Sequence, residues 1–118
     1  MIYLYIGLAG ALGAMARYWV SIFMVNDSGF PFSTLLVNLI GCYALAYIAS
    51  RTLPISNKLK SAINTGFLGS FTTFSAFSVE TIKMIETDQI GTAILYITIS
   101  IVGGVIMTNL GWNNEVGL

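Results

Sequence analysis

Phe74 and Phe77 stand three residues apart, so on a helix they share a face, with Ser70 and Ser78 close to it. A phenyl ring carries its positive potential at the edge. Two edges on one face can therefore meet a small anion without the trapping strength of a fixed cation. Conduction asks for that balance, since a site must admit an ion and also release it. The amide hydrogens of Asn38 and the hydroxyls of Ser75, Tyr96 and Ser100 are the further donors such a path would need, and Tyr96 and Ser100 lie one turn apart. Two plainer readings stand beside this one. Aromatics in an apolar helix pack against neighbours or lipid, and hydroxyls often bond their own helix.

Two other sets of residues carry potential chemistry. Arg17 and Glu80 fall inside apolar stretches, where an arginine near a membrane-helix centre costs about 2.5–3.5 kcal/mol. They read either as an ion pair that fixes helix register or as electrostatics at the mouth of a path. The run Gly66-Phe67-Leu68-Gly69-Ser70-Phe71-Thr72-Thr73-Phe74 is a poor helix centre, with two glycines followed by paired β-branched residues. A break near Gly69–Thr73 would release carbonyl oxygens, which suit a hard cation and in a two-fold dimer would converge from both copies. The alternative is an unbroken helix whose small residues allow close packing. With no histidine and one cysteine, Cys42, neither a His/Cys metal site nor a disulfide framework is available.

The elements that must position these residues follow from composition. Of the 118 residues 56% are hydrophobic and 8% charged, and the net charge is zero. A soluble domain carries about 25% charge, and a chain this short cannot hide so much apolar surface from water. Soluble enzymes, nucleic-acid binders and secreted disulfide scaffolds are excluded, which leaves an all-α membrane protein. Four segments have the roughly 20 apolar residues a bilayer core requires: Ile2–Val25, Phe32–Leu53, Ala62–Met84 and Ile90–Trp112. Both prolines, Pro31 and Pro54, lie in the connections. The first segment lacks a basic start and exceeds the 7–15 apolar residues typical of a signal peptide, so we expect a retained helix. The whole chain, 1–118, reads as one transmembrane domain.

Four spans place both termini and the second connection on one face. That face owns Arg51, Lys58 and Lys60, against Arg17 and Lys83 towards the other. Such a weak bias lets a chain insert both ways, and opposed copies can then pair with two-fold symmetry. A single orientation is the alternative. Arg17 lies eight residues before its span's end, Glu80 four before its own, and Asn38 six residues into the second span, so all three belong to the same third of the bilayer.

In order, Gly10-x-x-Gly13-x-x-x-Arg17-Tyr18, Thr34-Leu35-Leu36-Val37-Asn38-Leu39-Ile40-Gly41 and Gly66-x-x-Gly69-x-x-Thr72-Thr73-Phe74-Ser75-x-Phe77 resemble the small four-helix bacterial fluoride channels, the Fluc or CrcB family. The resemblance spans essentially the whole chain, and the Thr-Thr-Phe-Ser-x-Phe run is its most specific part. It implies an antiparallel, dual-topology homodimer in the bacterial inner membrane, with the third helix broken near its middle. It also implies two narrow fluoride pathways and a structural sodium ion held by the carbonyls of Gly69 and Thr72. Phe74 and Phe77 would line the path, with Asn38 and Ser75 beside them and Tyr96 and Ser100 forming a hydroxyl track; Arg17 matches the family's first-helix arginine. Two positions depart from the pattern: Ala76 replaces a frequent hydroxyl, and Gly104 stands where a further track serine falls.

The expected activity is thus passive fluoride export, not an enzymatic reaction. A small proton-coupled multidrug or cation exporter of dual topology is the main alternative, but it needs an acid within the first span, which has none. A structural subunit would explain the glycines and leave Asn38, Phe74 and Phe77 without a purpose.

Overall fold

The computed structural model describes residues 2–24, 30–51 and 54–113, and among these only helices occur. Helix α1 is Ile2–Phe23 and α2 is Phe32–Ser50, begun at Pro31, whose missing N–H costs a helix start nothing. Helix α3 covers 57–71 and changes winding twice. It runs as α-helix over Asn57–Ser61, as π-helix over Ala62–Leu68 and again as α-helix over Gly69–Phe71. After Thr72 and Thr73 come α4, Phe74–Glu86, and α5, Ile90–Asn113. Val25 and Leu53, the expected ends of the first two spans, lie outside the described residues.

The second connection is shorter than the sequence suggests. Ser56 accepts a hydrogen bond from the Leu59 amide at 3.1 Å and so starts a helix at Asn57, five residues before the expected span. Between α4 and α5 the chain turns through Asp88 at φ 62°, a left-handed conformation that aspartate tolerates.

Helix α1 lies along the π-helical part of α3, and α2 lies along α5. Small residues set the first contact. A Cβ on Gly13 would overlap the Phe67 carbonyl, and one on Gly66 would fall 2.6 Å from the Ile6 carbonyl oxygen. Gly7, nearly two turns before Gly13 on α1, faces open space and makes no such contact. One apolar cluster joins Val37, Leu68 and Phe71 with Ala16 and Val20 around them. A second joins Met84, Ala93 and Tyr96 with Leu35 and Phe77.

The outward surface is apolar: Leu4, Leu8, Leu12, Trp19, Ile94, Ile101 and Val105 are all exposed. In water such faces would drive aggregation; against lipid they are at home. Three helices are long and apolar enough to cross a bilayer, Ile2–Phe23, Phe32–Ser50 and Ile90–Trp112. The expected span 62–84 instead falls on two shorter pieces, most of α3 and α4.

Candidate functional site

The site is organised by Thr72 and Thr73. Their backbones are extended, at φ −86°, ψ 158° and φ −154°, ψ 119°, a conformation that branching at Cβ favours. Departing from helix geometry strips backbone groups of their partners, which inside an apolar bundle costs free energy unless others replace them. Asn38 on α2 replaces two. Its Nδ2 donates to the Thr73 carbonyl at 3.2 Å, and its Oδ1 accepts from the Thr73 amide at 2.8 Å. The side-chain amide thereby pairs with Thr73 as a neighbouring strand would.

Further side chains serve the same junction. Thr73 Oγ1 accepts from the Ala76 amide at 3.2 Å and caps α4. Thr72 Oγ1 donates back to the Leu68 carbonyl at 3.0 Å. Arg17 Nε donates to the Ser70 carbonyl at 3.2 Å. In an unbroken helix Gly69 O would receive the Thr73 amide and Thr72 O the Ala76 amide. Here those amides go to Asn38 and to Thr73 Oγ1, so the Gly69 and Thr72 carbonyl oxygens lose their helical donors.

Beyond the junction, α4 carries the ring pair. The Phe74 and Phe77 centroids are 5.9 Å apart with planes tilted by 37°, and Phe77 lies 5.0 Å from the Tyr96 ring. Phe74 is exposed (79%), whereas Tyr96 is fully buried. A groove of about 340 Å³ between α2, α4 and α5 is bordered by Asn38, Thr73, Phe74, Phe77 and Ser100. Four residues singled out from the sequence, Asn38, Phe74, Phe77 and Ser100, thus meet on one groove.

The others are placed differently. Tyr96 packs behind Phe77, and its hydroxyl donates to Glu80 Oε1 at 3.0 Å. Thr34 donates to the second oxygen, Oε2, also at 3.0 Å. Ser75 is exposed outside the groove, with its hydroxyl 3.1 Å from Thr73 Oγ1. Arg17 and Glu80 border a common small polar pocket of about 150 Å³ with Ser33, Thr34 and Thr73. They form no ion pair there, because each is engaged elsewhere: Arg17 with Ser70 and Glu80 with two hydroxyls.

Two residues escaped the sequence reading, Thr34 and Thr73. Thr34 lies one turn before Asn38 on α2, so the i, i+4 spacing that places Asn38 at the junction also carries Thr34 to Glu80. Thr73 was visible as a β-branched residue in a weak helix, but its role as a cap depends on where the break falls.

The helical fold with lipid-suited faces and this groove defines a small polytopic membrane protein. The family model described as CrcB-like protein, Camphor Resistance (CrcB), matches residues 4–112. A Bacillus cereus protein called fluoride-specific ion channel FluC 1 is 46% identical over 118 residues, covering 95% of this chain and 85% of its own. A Listeria innocua protein called fluoride-specific ion channel FluC 2 is also 46% identical, over 114 residues, covering 94% and 88%. A third relative, FluC 1 of Bacillus thuringiensis subsp. konkukian, is 47% identical with 95% and 85% covered. The chain belongs to the CrcB family.

Proposed function

We propose that this chain is a fluoride-specific ion channel that lowers cytoplasmic fluoride by passive export. The observation that carries the reading is the convergence of Phe74, Phe77, Asn38 and Ser100 on one groove beside the extended Thr72-Thr73 junction. Relatives named as fluoride-specific channels support the choice of ion.

Fluoride is small and strongly hydrated, so a narrow path must offer replacement donors. The groove supplies phenyl edges, the Ser100 hydroxyl and the second Nδ2 hydrogen of Asn38, whose first hydrogen is held by Thr73. None is a fixed cation, and the ion can therefore leave as readily as it enters. Asn38, by holding Thr73, also sets where α4 begins and hence where both rings point. The Tyr96 and Thr34 hydroxyls each give their one hydrogen to Glu80 and so fix that carboxylate behind Phe77. Arg17 beside the small polar pocket attracts anions towards it while tying α1 to Ser70. Export needs no energy input beyond the gradient, and a negative interior drives a monovalent anion outward by about 2.3 kcal/mol per 100 mV.

The reading includes α3 and α4 as one broken third span, giving a single domain of four spans over 1–118, and an antiparallel homodimer in the bacterial inner membrane. The donor set fits a structural sodium ion: Gly69 and Thr72 have carbonyl oxygens without helical donors, and oxygen is the ligand type a hard cation takes. Those two residues from each copy would hold it. When bound, the ion supplies fixed positive charge and a tie between copies.

Purified protein in liposomes tests the reading. With a potassium shunt, trapped fluoride should escape while trapped chloride stays. Equal release of both ions would remove the proposed selectivity.

A further inference from the structure

The fluoride groove does not end at Ser100. A second groove of about 540 Å³ runs on along α2 and α5, bordered by Gly104, Thr108, Asn109 and Trp112. Cys42 and Ile101 border both grooves, so the two adjoin.

The polar groups follow one line. Tyr96, Ser100, Gly104 and Thr108 recur at intervals of four and form a single stripe on α5. The Tyr96 hydroxyl is held by Glu80, whereas those of Ser100 and Thr108 contrast with three threonines elsewhere in the chain. Thr72, Thr81 and Thr87 each donate back to their own helix, to Leu68 O at 3.0 Å, Phe77 O at 2.8 Å and Lys83 O at 2.9 Å. Ser100 and Thr108 make no hydrogen bond among the described residues, and each borders a groove. Between them Gly104 contributes no side chain, and the nearest side-chain atom to a Cβ built there is Cys42 Sγ at 3.6 Å. That is ordinary contact distance, so a serine fits at 104. The two hydroxyls lie about 12 Å apart along the helix, at 1.5 Å per residue.

We propose that the ion path of this chain continues past Ser100, across the gap at Gly104, to Thr108, whose hydroxyl is the outer donor of the α5 track. This rests on the fluoride-channel reading and adds a specificity-determining residue to it. A thiol is a weak donor, so Gly104 leaves one turn of the stripe without a strong donor.

Fluoride efflux from liposomes tests the proposal. Thr108→Val, isosteric but without the hydroxyl, should slow efflux about three- to tenfold, the size of one lost neutral hydrogen bond. Thr108→Ser should retain the wild-type rate, and Gly104→Ser added to Thr108→Val should restore much of the loss by placing a hydroxyl one turn earlier. Size-exclusion elution unchanged from wild type shows that each variant is folded. Thr108→Val as fast as wild type, or Thr108→Ser as slow as Thr108→Val, would overturn the role of Thr108. Neither result would touch the broader reading, which fails only if the wild-type protein passes chloride as fast as fluoride.

Discussion

A phenylalanine ring edge and an amide can handle an anion only if something else holds them still, and in this chain Asn38 does much of the holding. Both its polar atoms bond Thr73. Replacing it with alanine leaves the part-buried N–H and C=O of Thr73 without their partner, at a cost of up to about 1–3 kcal/mol each. Asn38→Ala should therefore lower thermal stability by several degrees in detergent and slow fluoride efflux. A normal melting temperature with normal flux would mean the pair has no structural weight. For the rings, Phe74→Ile and Phe77→Ile keep apolar bulk and remove the positive edge. Each should reduce fluoride efflux at least tenfold while the oligomer elutes unchanged, and undiminished flux would make them packing residues. Of the two, Phe74 has less packing to lose within its own chain.

At the scale of elements, the contact between α1 and the π-helical part of α3 is decided by the space of one methyl group. Gly13→Ala places a Cβ into the Phe67 carbonyl, which is backbone and cannot swing aside. That variant should lose thermal stability, by the 1–3 kcal/mol typical of overpacking or more. Gly7→Ala has open space around it and should be neutral or slightly stabilising, since alanine is the better helix former by about 1 kcal/mol. Equal behaviour of the two variants in a melting experiment would contradict the close approach. The start of α4 is similarly specific. Its cap is the Thr73 hydroxyl, so Thr73→Val should cost about 1 kcal/mol and loosen the rings that follow, whereas Thr73→Ser should not.

For the molecule as a whole, the described surface carries apolar side chains on nearly every outward face, and the five Lys and Arg residues divide three to two between the ends expected of four spans. The proposed antiparallel pair uses both properties. A reporter fused to the C-terminus should be detected on both sides of the membrane in comparable amounts, and exclusive detection on one side would rule out dual insertion. If Gly69 and Thr72 from both copies hold sodium, replacing sodium with a large organic cation should depress fluoride efflux and weaken the dimer together.

Composition and spacing alone determined the helical class and the apolar character that suits a membrane, and they marked Gly69–Thr73 as a poor helix centre. Those are properties of a residue type in its local run: apolar length, β-branching, glycine content. The helix starting at Asn57 was less legible, because Ser56 looks like a loop residue until its hydroxyl finds the Leu59 amide. Partnerships were beyond the sequence. Arg17 and Glu80 have opposite charges and similar depth, yet Arg17 bonds Ser70 and Glu80 bonds Thr34 and Tyr96. Ser75 sits between two path candidates and still points away, because helix rotation after the junction turns Phe74 and Phe77 towards α2 and α5. Long-range geometry of this kind is set by how α1, α2 and α5 pack around α3 and α4. Many side chains compete to satisfy the same freed backbone groups, and only the assembled structure decides which of them reaches.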